Sequence, residues 1–531
     1  MPEPRRLQAP VVIVGGGPVG LALALALGRA GVRCVLLERQ LEPARIPKGQ
    51  NLTGRTLEHF FFWECAAELR AARLLPPDFP IGGITAYESL AGEYWYAPAG
   101  REAVAEYYFQ RHERLPQYLT EAVLRDQVRK SGSVTALFGW SATSIRQSRD
   151  EVRVSAAEDS GGGRCEISAA YVVGCDGARS LVREQAGITC GGEDFSQRMV
   201  LAVFGSRDLH RQLERFPPRT TYRVLHPGLQ GYWWFFGRVD ADQTWFFHAP
   251  VPADATAANL DARALIERAA GARVACDFQH VGFWDLRISL ADTYQHGRAF
   301  IAGDAAHSHP PYGAYGLNTG LEDAVNLGWK LAAVLHGWGG PQLLGSYTAE
   351  RRPVFAETGQ AIAAGIASDR AFLARFDPRH DRSEFERAWR SRTSGDTAAP
   401  DYVPHYEGSP IVWGPAGARC GTHGQHTFRA RPGHHLPPVA LSSGRNIFED
   451  IGAGYTFAAL TGDPGPAAAV QAAASELRIP LRVITDTPGG ERAAYGCRFI
   501  LIRPDQHIAW TGNDPPADPA ALLRRAAGGD A

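Results

Sequence analysis

Three glycines near the start of the chain, Gly15, Gly17 and Gly20, have the spacing G-x-G-x-x-G. They lie between an apolar run typical of a strand and an alanine- and leucine-rich run typical of a helix. Such glycines let the backbone turn tightly and approach a pyrophosphate, which the N-terminus of the helix then holds. A second strand is predicted over Val32–Leu37, and the next residue, Glu38, is placed to accept a hydrogen bond from a ribose hydroxyl. The pattern predicts a dinucleotide site.

The same segment has a second interpretation as a membrane span or an export signal. Residues 9–28 carry no charge and follow Arg5 and Arg6, as in a twin-arginine signal. However, Pro18 and the three glycines before it would break a membrane helix, and no small-residue cleavage site follows. We therefore expect no membrane partner and a cytoplasmic location.

A second glycine-bearing turn follows a predicted strand in the middle of the chain. The strand Tyr171–Cys175 leads into Asp176 and Gly177, and a helix is predicted to begin near Ser180. Taken alone, this pattern fits an ordinary strand-to-helix turn as well as it fits a nucleotide contact.

The third segment is longer and spans Arg298–Lys330. Its strand ends at Gly303 and Asp304, and the Asp304 carboxylate could accept a hydrogen bond from a ribityl hydroxyl. A thin backbone, which a flat ring could approach, is predicted at Pro311, Gly313 and Gly316. Gly316–Asn318 then begins a helix whose N–H groups and dipole would stabilise an electron-rich ring.

Composition and charge exclude several classes of protein. At 531 residues, two or three domains are expected, and a hydrophobic content of 45% with 21% charged residues is globular. A net charge of −1 gives no electrostatic basis for binding nucleic acid. The eight cysteines are scattered without a C-x-x-C pair, which favours a reducing compartment. The pairs His434-His435 and His307/His309 lack a neighbouring ligand cluster in the sequence, so we expect no metal site.

Regular elements are predicted along the rest of the chain. Helices are expected at Gln117–Lys130, Ala262–Ala270, Gly320–Leu335, Gln342–Ser368 and Ala467–Leu477. Between about residues 195 and 290, aromatic strand-like runs indicate an inserted antiparallel sheet. These runs are Thr220–Leu225, Gly231–Val239, Thr244–Ala249 and Gln279–Ser289.

In their order and separation, the three glycine-bearing segments resemble the FAD-dependent aromatic hydroxylases of the para-hydroxybenzoate hydroxylase type, the group A flavoprotein monooxygenases. The resemblance covers roughly residues 8–395 and implies that FAD is the cofactor. It implies that FAD is bound by Gly15, Gly17, Pro18, Gly20, Glu38, Arg39, Lys48, Gln117, Asp176, Gly303, Asp304, Pro311, Gly313, Gly316, Leu317 and Asn318. Lys48 stands where similar polyketide hydroxylases often have arginine.

The C-terminal part resembles the thioredoxin-like domain appended to phenol and aromatic polyketide hydroxylases. The resemblance rests on RPGHHLPP at residues 431–438, the strand at 455–460 and LIRPDQHIAW at 501–510. The redox cysteine pair of thioredoxins is absent, because Cys420 and Cys497 are single and distant. We therefore expect a structural role in packing or oligomerisation.

These patterns and resemblances together give an α/β fold class. We expect a Rossmann-like FAD-binding domain with an inserted antiparallel-sheet substrate domain, followed by a C-terminal thioredoxin-like domain. The expected division assigns residues 1–75, 105–187 and 286–395 to the FAD-binding domain, 76–104 and 188–285 to the substrate domain, and 405–531 to the C-terminal domain.

The resemblance also implies a reaction. NADPH or NADH reduces FAD, O2 is captured as a flavin C4a-hydroperoxide, and one oxygen passes to a phenolic or polyketide-type aromatic substrate. No second G-x-G-x-x-G is followed by a strand and an acidic residue, so the chain has no separate domain for NAD(P)H. Alternatives are a Baeyer–Villiger-type oxygenase, a flavin halogenase and a noncatalytic FAD-binding interaction protein. The halogenase pattern W-x-W-x-I-P is not found. Whether the chain forms a homo-oligomer stays open.

Candidate residues for the chemistry lie in the aromatic insert and the third segment. The catalytic candidates are Tyr315, Tyr312 and Tyr222, and the substrate-binding candidates are Arg223, Trp233, Phe235 and Pro311. Alternation along a strand predicts that Trp233 and Phe235 share one face of the sheet, with Trp234 and Phe236 on the other. For each aromatic candidate, packing in the core is the alternative interpretation.

Overall fold

A computed structural model describes residues 4–310, 315–395 and 401–530. In chain order its strands are β1 Arg5–Val14, β2 Cys34–Glu38, β3 Asn51–Leu52, β4 Gly83–Tyr87, β5 Trp95–Tyr96, β6 Glu113–Arg114, β7 Val134–Phe138, β8 Trp140–Gln147, β9 Val152–Glu158, β10 Arg164–Gly174, β11 Cys190–Gly205, β12 Thr221–Leu225, β13 Trp233–Arg238, β14 Thr244–Val251, β15 Asp277–Ala291, β16 Gln295–His296, β17 Ala299–Ile301, β18 His307–Ser308, β19 Tyr402–His405, β20 Gly421–His423, β21 Tyr455–Ala459, β22 Leu481–Thr485, β23 Phe499–Ile502 and β24 Ile508–Gly512. Its helices are α1 Pro18–Arg29, α2 Gly54–Phe62, α3 Ala66–Ala71, α4 Gln117–Lys130, α5 Leu181–Gln185, α6 Arg207–Gln212, α7 Ala262–Ala270, α8 Tyr315–Leu335, α9 Gln342–Arg375, α10 Arg382–Gly395, α11 Gly465–Glu476 and α12 Pro519–Ala526.

The first sheet is parallel at its centre and is called the parallel sheet below. Its strand order is β16-β17-β10-β1-β2-β7, and β9 and β8 extend it from β10. Val11, Val12 and Ile13 of β1 are fully buried, as expected for a central parallel strand covered on both faces. Helix α1 packs against α4 and α8. The glycine-bearing turns after β1, β10 and β17 therefore meet at one edge of this sheet, where ligands bind in open α/β sheets.

The second sheet, called the aromatic sheet, has the order β18-β15-β11-β14-β13-β12-β4-β5. Its pairs are antiparallel except β12 with β4. Trp234 and Phe236 pack in a core with Ile266 of α7, whereas Trp233 and Phe235 face the opposite side. The predicted alternation of these four side chains is therefore confirmed.

The third sheet lies near the C-terminus and has the order β22-β21-β23-β24, with α11 and α12 packed against it. This mixed arrangement of strands and helices is thioredoxin-like, and the α/β fold class is confirmed. Cys420 is buried and Cys497 is half-buried, and both are free thiols. Burial raises the pKa of Cys420 to about 12 and that of Cys497 to about 11, so neither forms a reactive thiolate at neutral pH.

Element positions follow the sequence patterns closely. Helix α4 has the predicted bounds, and α7 matches its prediction as well. The strand β15 crosses residue 286, so the aromatic sheet continues to Ala291, past the boundary expected for the substrate domain. Helix α10 was not predicted; it covers the aromatic side chains at the sheet edge with Phe385 and Trp389.

In the described part of the chain, no helix combines the length and apolar character that crossing a membrane requires.

Candidate active site

One large cavity, with a volume of about 1090 Å³, lies where the parallel sheet, the aromatic sheet and residues 402–435 meet. Its wall includes Gly17 and Asp304 from the glycine-bearing turns and Phe235 and Trp284 from the aromatic sheet. The predicted cofactor side and the predicted substrate side therefore border one continuous space.

The three glycines of the first turn meet different surroundings. Gly15 has φ +103°, and a Cβ there would lie 2.3 Å from the carbonyl oxygen of Cys175. A Cβ at Gly20 would lie 1.9 Å from the carbonyl oxygen of Gly15. At Gly17, the N-cap of α1, a Cβ would meet no atom within 4 Å. The open space at the N-terminus of α1, next to Pro18 in the cavity wall, fits a pyrophosphate.

Glu38 ends β2 beside this turn. Its carboxylate accepts hydrogen bonds from the backbone N–H groups of Gly16 at 2.6 Å and Gln40 at 2.8 Å. Glu38 therefore stabilises the glycine turn, and its remaining lone pairs suit a ribose hydroxyl. Neither Glu38 nor the exposed Arg39 next to it is part of the cavity wall.

Lys48 and Gln117 both line the cavity. The Gln117 side-chain oxygen accepts from the backbone N–H of Gly49 at 3.3 Å, and its amide nitrogen donates to Glu121 at 2.8 Å. Gln117 thus holds the segment around Lys48 in place at the side of the cavity.

The third segment places a carboxylate in the cavity wall. Gly303 has φ +60°, and its N–H donates to Asp323 at 3.0 Å, which fixes the turn. The Asp304 carboxylate is exposed to the cavity and makes no hydrogen bond to any residue that the structure describes. Enclosure by the protein raises the pKa of Asp304, while the charges of His307 and Lys48 lower it. An acceptor in this position suits a ligand hydroxyl group.

The start of α8 forms the neighbouring wall through Gly316, Leu317 and Asn318. The Asn318 side chain donates to the carbonyl of Asn51 at 2.9 Å and accepts from the backbone N–H of Thr53 at 2.9 Å. These bonds attach α8 to the segment beside Lys48. The predicted site residues Pro311, Tyr312 and Gly313 lie outside the described residues.

Asp176 has a local role in the structure. Its carboxylate accepts from the Ser180 hydroxyl at 2.5 Å and from the backbone N–H of Val182 at 3.2 Å, which stabilises the first turn of α5. Gly177, with φ +80°, lines the cavity, whereas the Asp176 side chain does not. The structure thus brings the turn, but not this carboxylate, to the cavity.

The substrate candidates of the aromatic sheet separate into two groups. Phe235 and Arg223 line the cavity. Trp233 lies behind Arg223, whose guanidinium carbon is 5.3 Å from the centre of the indole ring. Tyr222 is buried on the opposite face, where its hydroxyl donates to the carbonyl of Arg219 at 3.1 Å. Tyr222 is therefore not brought to the cavity, because alternation along β12 turns it away from Arg223.

The aromatic sheet contributes further residues to the site. His248, Phe246 and Trp284 line the cavity. The indole N–H of Trp284 donates to Nδ1 of His248 at 3.3 Å, and burial lowers the pKa of His248 to about 4. This histidine is therefore neutral at physiological pH and belongs to a largely apolar wall.

Tyr315, the first residue of α8, lines the cavity and packs its ring 4.5 Å from that of Tyr402. Burial raises the pKa of Tyr315, and the positive charge of Arg101 partly offsets this effect. The phenol therefore stays protonated and can donate a hydrogen bond into the cavity.

The wall next to the C-terminal sheet is polar. The Arg55 guanidinium binds Glu322 through two hydrogen bonds of 3.1 Å and donates to the carbonyl of Asp505 at 2.6 Å. His435 and His507 complete this wall. Arg55 and Glu322 are far apart in the chain, and no local pattern marks them as partners.

A cluster of His405, Glu407 and His434 has ligand atoms that all lie within 4.8 Å of one another. Nε2 of His434 lies 2.8 Å from Glu407, and its Nδ1 lies 3.2 Å from the Arg431 guanidinium. A metal at Nε2 would require a proton on Nδ1, which would face the N–H of Arg431. The cluster therefore fits a hydrogen-bonded chain better than a metal centre.

Comparison with known proteins identifies the family. The family model described as an FAD binding domain matches residues 8–361, and the model described as the C-terminal part of aromatic-ring hydroxylases matches residues 429–529. The chain belongs to this family of FAD-binding aromatic-ring hydroxylases.

Several characterised relatives extend over nearly the whole chain. It is 32% identical to a 4-methyl-5-nitrocatechol 5-monooxygenase of Burkholderia sp, covering 98% of this chain and 97% of the relative. It is 30% identical to aklavinone 12-hydroxylase RdmE of Streptomyces purpurascens, covering 97% of each. Among solved structures, a complex of aklavinone-11 hydroxylase with FAD and aklavinone is 26% identical, with a TM-score of 0.82, 99% of this chain covered and 100% of that one. The chain is thus an FAD-dependent monooxygenase.

Proposed function

We propose that this protein uses NAD(P)H and O2 to hydroxylate a phenolic or polyketide-type aromatic compound. The observation that supports this most is that one cavity is shared by the two sides of the site: its wall contains Gly17 and Asp304 as well as Phe235 and Trp284. A cofactor bound along the first pair would face an aromatic compound bound along the second.

Bound FAD would supply the oxygen-activating chemistry. The chain's own residues would bind and orient the cofactor and the substrate and would exclude water from the cavity. Gly17 and the N-terminus of α1 would hold the pyrophosphate, Asp304 would accept a hydrogen bond from the ribityl chain, and Asn318 keeps the start of α8 in position. Phe235 and Phe246 exclude water from the substrate side.

Tyr315 is the proposed hydrogen-bond donor to an oxygen of the substrate, because its protonated hydroxyl group belongs to the cavity wall. Arg223 and Phe235 are proposed to contact the substrate directly, with Trp233 supporting Arg223 from behind. Tyr312 and Pro311 remain sequence-based candidates for the same part of the site.

The experiment is a screen of the purified holoenzyme with simple and polycyclic phenols. We expect some phenols to accelerate the oxidation of NADPH or NADH and to yield a product with one added oxygen atom. A noncatalytic FAD-binding protein would show no acceleration. A Baeyer–Villiger oxygenase would give an ester or lactone in place of a new phenolic hydroxyl, which NMR of the product distinguishes.

Two further features belong to this proposal. Since the expected reductant is a cytosolic dinucleotide, we propose a cytoplasmic location. We also propose that the parallel sheet, the aromatic sheet and the C-terminal sheet form the centres of the three domains, which the element order supports.

A further inference from the structure

The cavity wall contains a buried arginine whose hydrogen-bond acceptors are neutral. Arg114 is 4% exposed, and its guanidinium donates to the side-chain oxygen of Asn51 at 2.6 Å and to the carbonyl of Arg238 at 2.8 Å. Within residues 4–310, 315–395 and 401–530, no carboxylate forms an ion pair with it. Burial lowers the pKa of Arg114 to about 9, and no neighbouring acid offsets this effect.

Three other arginines of the cavity wall have carboxylate partners. Arg55 pairs with Glu322 at 3.1 Å, and Arg351 pairs with Asp323 at 2.7 Å. Even Arg223, the arginine that the sequence favours for substrate binding, lies 3.7 Å from Asp369. Arg114 differs from these three arginines, because no carboxylate of the described residues pairs with its positive charge.

A second polar residue, whose backbone lies beside that of Arg114, has a side chain without partners of its own. Gln50 is 5% exposed and lines the cavity, and neither its amide nitrogen nor its amide oxygen has a hydrogen bond within the described chain. Its backbone carbonyl accepts from Leu115 at 2.9 Å, and Asn51 pairs with Arg114 across β3 and β6. Buried polar groups are almost always hydrogen-bonded, so the unpartnered amide of Gln50 and the unpartnered Nε of Arg114 point to a ligand.

The position of Arg114 favours the substrate as that ligand. Arg238, whose carbonyl it contacts, ends β13 of the aromatic sheet. The backbone carbonyl of Asn51, its other partner, accepts a hydrogen bond from Asn318 at the start of α8. Arg114 therefore lies at the junction between the proposed cofactor side and the proposed substrate side.

We propose that Arg114, assisted by the amide of Gln50, binds an anionic oxygen of the aromatic substrate. This oxygen belongs to a carboxylate or to an ionised ring hydroxyl, and the proposal rests on the hydroxylase function proposed above. In a site closed to water, a guanidinium strongly favours the charged form of such a group. An ionised hydroxyl would release its proton to solvent on binding and leave a more electron-rich ring.

The test measures ligand binding to the holoenzyme through the change in the visible flavin spectrum. The probes are 1-hydroxy-2-naphthoate and its uncharged amide, 1-hydroxy-2-naphthamide, at a pH where the acid is ionised. The wild type is expected to bind the acid more tightly. In Arg114→Met, the affinity for the acid should fall by about tenfold to a hundredfold, and that for the amide much less.

Three further variants control this measurement. Arg114→Lys keeps the charge and should retain part of the preference for the acid. Gln50→Leu removes no hydrogen bond of the described protein, so it should fold normally and weaken acid binding severalfold. Arg111→Met, an exposed position three residues away, should bind both probes like the wild type.

A second experiment distinguishes a substrate carboxylate from an ionised ring hydroxyl as the anionic group. The phenolate of 4-nitrocatechol has a distinct visible absorption, so its ionisation can be followed in the presence of the protein. A bound pKa below that in water, lost in Arg114→Met, indicates an ionised hydroxyl. A preference for the naphthoate without this shift indicates a carboxylate.

Several outcomes would overturn the proposal. A wild type that shows neither a preference for the acid nor a shift with nitrocatechol, including one that binds no probe, contradicts it. Loss of FAD from folded Arg114→Met would assign the arginine to the cofactor phosphates. These failures leave the proposed function intact if phenols still stimulate NAD(P)H oxidation, whereas absence of that stimulation defeats the proposed function itself.

Discussion

Single glycines of the first turn perform separate tasks despite their shared motif. The chain itself requires Gly15, since its φ of +103° and the nearby Cys175 carbonyl exclude a side chain. Gly17 has an extended backbone and open space, so the protein alone imposes no such requirement. We therefore propose that the requirement for glycine at position 17 comes from the bound cofactor.

This difference gives a first prediction. Gly17→Ala should fold with an unchanged unfolding temperature but bind FAD about tenfold or more weakly, because its methyl group occupies the space of the pyrophosphate. Gly15→Ala should destabilise the apoprotein itself by about 1–3 kcal/mol. Thermal unfolding of the apoproteins and FAD titration check both. Equal effects of the two changes on apoprotein stability would contradict the assignment.

Asp304 gives a second prediction at the same scale. Asp304→Ala should weaken FAD binding by about tenfold to a hundredfold, since a charged acceptor of a ligand hydroxyl is lost. Its apoprotein should be as stable as the wild type, because the carboxylate makes no hydrogen bond to the described chain. Asp304→Asn should be intermediate. Full flavin absorbance in purified Asp304→Ala would rule out this role.

Residue types and spacing locate only some of the site. Glu38 and Asp304 are candidates that a local pattern suggests, because each lies at or just after the end of a strand. Arg55 and Glu322 form a salt bridge although they are 267 positions apart in the sequence, and the packing of α2 on α8 brings them together. Arg114 and Gln50 carry no motif, because their importance comes from burial in a shared wall, which a single sequence does not display.

At the scale of elements, a buried ionic cluster joins α8 and α9 to the C-terminal sheet. Glu350 of α9 binds Arg503 at 2.7 Å and Lys330 of α8 at 2.7 Å, and the three side chains are fully buried. Asp505 forms a further salt bridge with Arg503 at 2.5 Å. The two cationic groups hold the pKa of Glu350 well below its usual range.

A third prediction concerns this cluster. Glu350→Gln should lower the free energy of unfolding by about 3–5 kcal/mol, because it leaves buried cations uncompensated. Glu476→Gln, at an exposed position of α11, should have little effect. Urea unfolding at pH 7 makes the comparison. A loss of less than about 1 kcal/mol would show that the cluster contributes little to holding α8 and α9 against the C-terminal sheet.

The bounds of individual helices could be predicted from the sequence more readily than the contacts between helices and sheets. The apolar periodicity of α4 and α7 is local, so their bounds followed from the pattern. Helix α10 was missed because it is strongly charged, and its large side chains in the aromatic core are Phe385 and Trp389. The contact between α9 and the C-terminal sheet depends on residues more than 150 positions apart and has no local signal.

At the scale of the whole molecule, buried histidines couple stability to pH. Burial lowers the pKa of His507 to about 3 and those of His434, His248 and His309 to about 4, from 6.5. Below pH 6.5 the unfolded chain binds protons that the folded chain does not. The stability present above this pH is therefore lost as the pH falls toward 4.

A fourth prediction follows. Between pH 6 and 4.5, each of these histidines should reduce stability by up to about 1.4 kcal/mol per pH unit. His507→Gln should make this decline shallower, whereas His380→Gln, at an exposed position, should not. Urea midpoints measured across this range provide the check. An identical pH dependence in wild type and His507→Gln would contradict it.

The C-terminal part of the chain, from residue 402 onward, contributes Tyr402, Tyr406, His435 and His507 to the wall of the cavity. Although this part of the chain has no redox cysteine pair, it therefore forms part of the wall of the proposed active site. Its loss would let bulk water reach the place where oxygen is activated. We therefore expect that, without this region, electrons from NAD(P)H would be lost as hydrogen peroxide instead of yielding hydroxylated product, although the region is distant in sequence from every dinucleotide motif.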